Sequence, residues 1–339
     1  MMISSTFLQR LREVKVNAER SVSATYAVDP TLFTPVQFHA RALLGYSVNG
    51  ICAWFIKHLG VSIAQQVSEH CQSMVVVGCE IDYIRPFDFF EVDEFTAILE
   101  KVRVRQSSAL LEFFHVFTAG GHEFARVVTR WKIVRLEGDA ALSAVSGNMS
   151  ESLLMRFKPI ELDSLPIQRI LPLKVVEIET VGQLYVQGSY NQMLHRHQCE
   201  VADQWAFHEL TALAAQMRER VVLSASSSEY PMGEILGRPI KQITMELSCP
   251  VFLFEEMLLE TNVYLLEAKW VFLHRIYNLD RAKAWRSQGA SATPHVRCCH
   301  VYPIQPPEYR GARHHYGDAL STTDAASYCR FARPSPQHH

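Results

Sequence analysis

The side chains that could move a proton in this sequence gather at two places. Near the middle of the chain Asp203 opens the stretch DQWAFHEL, with His208 and Glu209 inside it. His39 lies far upstream, in TPVQFHARALL, and Asp29 and Gln37 precede it. Such carboxylates and imidazoles act as general bases or acids when they come within hydrogen-bond reach of a reacting group. Each also has a plainer reading. Asp is favoured as an N-cap, so Asp203 could serve only to start its helix. An imidazole on a buried helix is commonly a hydrogen-bonded core group, which is the plain reading of His39. Glu209, about two turns into its expected helix beside His208, needs a partner if buried or an outlet to solvent through the helix end. Asp29 and Gln37 are further candidates for positioning water. Arg85, in IDYIRP, could bind a phosphate or rest at a solvated sheet edge. Asp203, His39 and Glu209 are thus the candidate catalytic residues, and Gln37, His208 and Arg85 the candidate substrate contacts.

Other chemistries are poorly served. The chain contains no Gly-rich phosphate loop, no GxSxG elbow and no HExxH pattern, which argues against nucleotide-dependent, serine-hydrolase and zinc-protease readings. Eight cysteines are scattered without a CxxC spacing and read as reduced core thiols of a cytoplasmic protein. Cys298 and Cys299 stand beside His295 and His300, but adjacent cysteines rarely reach one tetrahedral ion, so no metal is expected. With 33 Lys+Arg against 35 Asp+Glu there is no basic excess to meet a nucleic-acid backbone or an anionic membrane. The N-terminal residues lack the apolar core of a signal peptide, and the stretch Leu43 to Ile56, broken by Asn49, is too short to span a bilayer.

The elements that must position these residues occur twice. Tyr26 and Tyr190, Pro86 and Pro250, Phe90 and Phe254, and Glu91 and Glu255 are all separated by one constant offset, which marks a tandem duplication. His39 and Asp203 share that offset, so each stands in the corresponding place of its half. In the first half a helix over 35–59, capped by Thr34 with Pro35 in its first turn, precedes four strand-like runs with a Gly120-Gly121 turn between the last two. The second half repeats the order: a helix over about 203–223, then strands at KQITMELS, LLETNVYLLE, KWVFLHRIYN and, more weakly, ASATPHVRCCHVY. One long helix followed by antiparallel strands, twice, is an α+β arrangement. The expected organisation is an N-terminal segment 1–19, a first unit 20–136, a Ser/Pro-rich linker 137–173, a second unit 174–303, and a tail 304–339 whose loss of periodicity reads as disorder.

The strand run of the first half resembles the hotdog-fold thioesterases. The likeness is carried by Tyr83, Arg85 and Pro86 in the first strand, Ser107, Ser108 and Phe113 around the third, and Ala125, Arg126 and Trp131 in the fourth. It covers residues 22–136 well and 184–302 more loosely. The resemblance implies a tandem, or double, hotdog in which two central helices are wrapped by curved antiparallel sheet, with an apolar tunnel between the helices. It also implies an acyl thioester of CoA or of an acyl carrier protein as substrate and partner, with no cofactor of the protein's own and a homo-oligomer as one possible assembly. The thioester carbonyl would be held at a helix N-terminus and water activated by a carboxylate at the start of that helix. Asp203 takes that position by comparison with 4-hydroxybenzoyl-type thioesterases, although AFHEL stands where they have GHVNN. The pairing of His39 with Asp203 across the repeat is similar to that of double-hotdog dehydratases, but their HxxxGxxxxP pattern is missing, so hydrolysis is favoured. A non-catalytic acyl-binding or scaffold role is the other alternative.

Overall fold

The computed structural model describes residues 19–106, 108–137, 144–163, 165, 171–200, 204–225, 235–267, 269–279 and 296–303, the last of these as backbone only. Asp203 and the expected tail therefore lie outside the described residues.

Among the described residues, eleven strands form one antiparallel sheet. In the first half these are β1 (Val22–Ala27), β2 (Gln72–Tyr83), β3 (Glu94–Arg105), β4 (Leu110–Ala119) and β5 (His122–Leu136), with the short β6 (Ala144–Ser146) beside β5. In the second they are β7 (Gln183–Met193), β8 (Gln242–Leu247), β9 (Glu256–Leu266), β10 (Lys269–Asn278) and β11 (Val296–Pro303). The spatial order is β1-β3-β4-β5-β2-β8-β11-β10-β9-β7, so the second half mirrors the first about the β2–β8 seam. At that seam Glu80 pairs with Thr244, the residue at the constant offset from it, and Gly78 and Asp82 pair with Glu246 and Gln242. The register is thus two-fold symmetric about Glu80 and Thr244. Gly78 follows a bulge in β2, and a Cβ there would stand 3.1 Å from the Met245 carbonyl oxygen, so a glycine lets β8 approach. The Gly120-Gly121 turn has φ of +56° and +78°, the conformation a tight hairpin demands and glycine adopts without strain.

Two helices lie against this sheet. The first, α1 (Ala40–Trp54), buries Leu43, Leu44, Ser47, Ile51 and Trp54 and ends in one π-helical turn, Phe55–Leu59. It starts at Ala40 rather than at the expected Pro35. Thr34 does accept hydrogen bonds, from the Val36 and Gln37 amides, but these close a turn rather than a helix. Phe38 is fully buried and bridges Phe33, and the buried Gln37 side chain accepts the Ile240 N–H, so tertiary contacts hold this segment out of the helix. The second long helix spans Glu209–Ser224 rather than 203–223, because Gln204 and Trp205 bridge Phe252 and Cys199.

Three further helices were not expected. α2 (Ile63–His70) has a capping box from Ser62 and Gln65. The expected linker contains α3 (Glu151–Leu154) in a strap whose Met149, Leu153 and Phe157 pack on Trp54 and Phe55. α4 (Leu171–Val181) lays Leu171, Val175 and Ile178 on Tyr264, Val271 and Leu273, and the helix at Glu209–Ser224 is hence α5. Arg20 ties the strap down: its Nε donates to Glu161 at 2.7 Å, an Nη to the His58 carbonyl at 2.8 Å, and its guanidinium lies over the Trp54 ring. Of the described cysteines only Cys79 is buried and Cys71 is exposed, so the expectation of core thiols holds for few of them.

Candidate active site

The N-terminal ends of α1 and α5 meet through an ion pair between Arg41 and Glu209, with an imidazole at the cap of each helix. His39 is the N-cap of α1 and Arg41 its second residue, while His208 is the N-cap of α5 and Glu209 its first residue. An Arg41 Nη lies 2.6 Å from Glu209 Oε1, and His208 Nε2 is 3.4 Å from the same oxygen. Glu209 is largely buried and Arg41 largely exposed, so the carboxylate has a cation where burial alone would penalise its charge. Burial pushes His39 below the usual imidazole range, and the Arg41 charge adds to this. His208 is lowered by burial, opposed by Glu209 and reinforced by Arg41. Both imidazoles are therefore in the neutral form that accepts a proton near pH 7.

The two helix ends differ in their amides. The first four N–H groups of a helix have no partner within it. In α5 two of them are used: Glu209 donates to Ala206 at 2.9 Å and Leu210 to Phe207 at 3.2 Å, through a tight turn. In α1 the first such bond is Leu43 to His39 at 3.1 Å, and the His39 side chain makes no capping bond. The amides of Ala40, Arg41 and Ala42 are thus left without a partner inside the helix, at the end whose dipole favours negative charge.

The hydrogen bonds also correct the pairing of the halves. Around the aromatic loops the constant offset holds, since Glu91 accepts from Asp88 N–H at 3.1 Å as Glu255 does from Phe252 N–H at 2.8 Å. Ahead of the helices it slips. Thr34 donates to Gln37 as Glu200 does to Gln204, and His39 donates to Leu32 as Ala206 does to Gln198. Between the matched residues the second half carries the longer segment, 201–203, where the first has only Pro35 and Val36. By this pattern Ala206 matches His39.

By sequence the chain matches no family model and no curated protein. By structure it is similar to a protein assigned as an oleoyl thioesterase from Lactobacillus plantarum, at 11% identity and a TM-score of 0.62 over 86% of this chain and 99% of that one. The 12:0-ACP thioesterase from Umbellularia californica gives 12% identity and a TM-score of 0.56 over 83% and 93%. An acyl-ACP thioesterase from Bacteroides thetaiotaomicron gives 9% and 0.53 over 83% and 97%. This chain has a hotdog fold.

Within the hotdog sheet the remaining candidates stand apart from the helix ends or face inward. Gln37 is engaged by the Ile240 N–H and bolts the halves together. Arg85 reaches Glu91 at 3.6 Å and the Ala119 carbonyl at 3.4 Å, in the loop after β2. Asp29 accepts the Thr31 N–H and caps a short turn. Two clefts of about 570 and 270 Å³ run along Tyr26, Val92, Glu94 and Gly120, so neither contains His39, Arg41, His208 or Glu209. Leu43, Leu44, Leu210, Leu213 and Met217 share one buried cluster, and these side chains occupy the region in which the hotdog resemblance implies a tunnel. No group of three or more metal-ligating side chains occurs among the described residues.

Arg41 was missed from sequence. Its signal is a cation in the first turn of a helix, where the dipole disfavours positive charge. Trp205 was missed as well: it takes the place of Phe38 in the second half, and its buried indole N–H meets no acceptor among the described residues.

Proposed function

We propose that the protein is a tandem of two hotdog units that hydrolyses an acyl thioester carried on CoA or on an acyl carrier protein. The observation that supports this is the junction of the two helix ends, where uncapped α1 amides stand in the same chain as a neutral His208 held beside Glu209 and Arg41. The amides of Ala40, Arg41 and Ala42 would receive the carbonyl oxygen as it gains negative charge. His208 takes a proton from water as the water oxygen attacks the carbonyl carbon. The tetrahedral intermediate then breaks its C–S bond and expels the thiolate, which takes the proton back from His208 to become the free thiol, and the acyl group leaves as a carboxylic acid. Asp203, the base assigned by resemblance, is the alternative to His208. The chemistry uses no cofactor of the protein's own. No helix among the described residues is long and apolar enough to cross a membrane.

The test is thiol release from a panel of acyl-CoA and acyl-carrier thioesters by the wild type, His208→Gln and Asp203→Asn. Loss of a general base costs on the order of 10² to 10⁴ in rate, so the variant that falls by this much while remaining folded identifies the base. Asn caps a helix about as well as Asp, so full activity in Asp203→Asn assigns that residue to capping. If neither CoA nor carrier thioesters are bound or turned over by the wild type, the reading fails.

A further inference from the structure

Arg41 occupies a position that the fold does not explain. It lies at the positive end of the α1 dipole, and its side chain is 57% exposed, so it adds little to the core. What it touches is the largely buried Glu209, which belongs to the other half of the chain. The same Glu209 oxygen lies between the guanidinium, at 2.6 Å, and His208 Nε2, at 3.4 Å.

We propose that Arg41 is a positioning residue: from the first half it fixes the orientation of the Glu209 carboxylate of the second half beside His208, so the geometry of the acid–base pair depends on a contact across the junction of the halves. This rests, for its catalytic consequence, on the hydrolase reading above. A guanidinium suits the task because it engages one carboxylate through a directed fork and stays charged at every working pH. Among the described residues, the charges that act on the two rings are Arg41 on His39, and Glu209 and Arg41 on His208. Arg41 lowers both imidazoles, whereas Glu209 raises His208 alone. Removing Arg41 therefore makes His39 easier to protonate, and by freeing Glu209 it weakens the one contribution that raises His208.

The experiment follows the imidazole resonances of the full chain by NMR across pH, in the wild type, Arg41→Gln, Arg41→Lys, Glu209→Gln and the double variant Arg41→Gln with Glu209→Gln. Arg41→Gln should move the His39 titration to higher pH, and Arg41→Lys should keep it near the wild type. Glu209→Gln should move His208 to lower pH and leave His39 in place, and the same change made on top of Arg41→Gln should move His208 by less. The buried His115 is the internal check and should be unmoved by all of them. In turnover, the acid limb of kcat/KM should follow His208, and Arg41→Gln should lose up to about 100-fold, the cost of a catalytic group displaced by an ångström. An undiminished response of His208 to Glu209→Gln in the Arg41→Gln background, or equal shifts of His39 in the Gln and Lys variants, would overturn the proposal. A diminished response in a protein that releases no thiol would instead uphold the positioning role and reject the hydrolase reading.

Discussion

The two halves share a strand order but not a division of labour. The first packs its helix on an aromatic floor in which Phe38, Phe87, Phe95 and Phe124 contact one another, and it leaves the α1 amides uncapped. The second has Trp205 in place of Phe38 and a tight turn that uses the α5 amides. The same contrast recurs on the central strands. His115 and His274 are each the sixth residue of their strands, β4 and β10, and both are fully buried. Thr261 lies opposite His274 and shares a 2.8 Å hydrogen bond with its Nδ1, whereas the first half has Leu99 opposite His115. The α1 end thus keeps free amides and carries a cation, while the α5 end carries His208 and Glu209. Two ends in matching places of the strand order are chemically unlike each other.

The largest effect expected is on catalysis and is confined to the second half: His208→Gln should lower kcat/KM by about 10² to 10⁴ without lowering the melting temperature. His39→Gln, from the first half, should cost less, and a thiol-release assay on both variants measures the difference. Next is a break in the strap over the first half. Arg20 and Glu161 are an almost fully buried pair, and removing one partner of such a pair costs about 3–5 kcal/mol. Urea denaturation of Arg20→Ala should show a loss of that size, while an exposed pair such as Arg135 and Glu137 should show about 1 kcal/mol or less.

Much of this architecture is legible in the sequence where local pattern and tertiary need agree. Aromatic and β-branched residues in LEFFHVFTA and the Gly120-Gly121 turn mark β4 and β5, because such side chains suit a strand that is buried along nearly its whole length and only glycine sits easily in the turn. The helix starts are hidden for the opposite reason. Thr34 and Pro35 carry every local sign of a helix, but Gln37 and Phe38 are held by the second half and by Phe33, and no local pattern records that. His39, His208 and Glu209 could be picked out by chemical type, whereas Arg41 reads as an ordinary surface charge until Glu209, from the other half of the chain, is seen beside it.

The pH dependence sharpens the comparison further. Burial pushes both His115 and His274 down to about 3, so each takes up protons less readily when folded than when unfolded. Their contribution to stability is complete above the unfolded imidazole value of about 6.5 and is lost as pH falls from there toward 3. At pH 5 this amounts to about 2 kcal/mol for each ring. Urea midpoints at pH 7.5 and 5 should differ accordingly, and His115→Phe or His274→Phe should each remove part of the difference. The smallest effect separates the halves by one hydroxyl: Thr261→Val leaves His274 Nδ1 without that bond and should cost about 1–3 kcal/mol by thermal or urea denaturation.

The account turns on whether the junction of the two helix ends cleaves thioesters. The most direct measurement presents the purified wild type and His208→Gln with acyl and β-hydroxyacyl thioesters of CoA and of a carrier protein, and follows free thiol and enoyl product separately. The account predicts thiol release by the wild type, its loss by at least about 100-fold in a folded His208→Gln, and no enoyl product. Enoyl product without thiol, abolished by His39→Ala, would contradict it and make the protein a dehydratase.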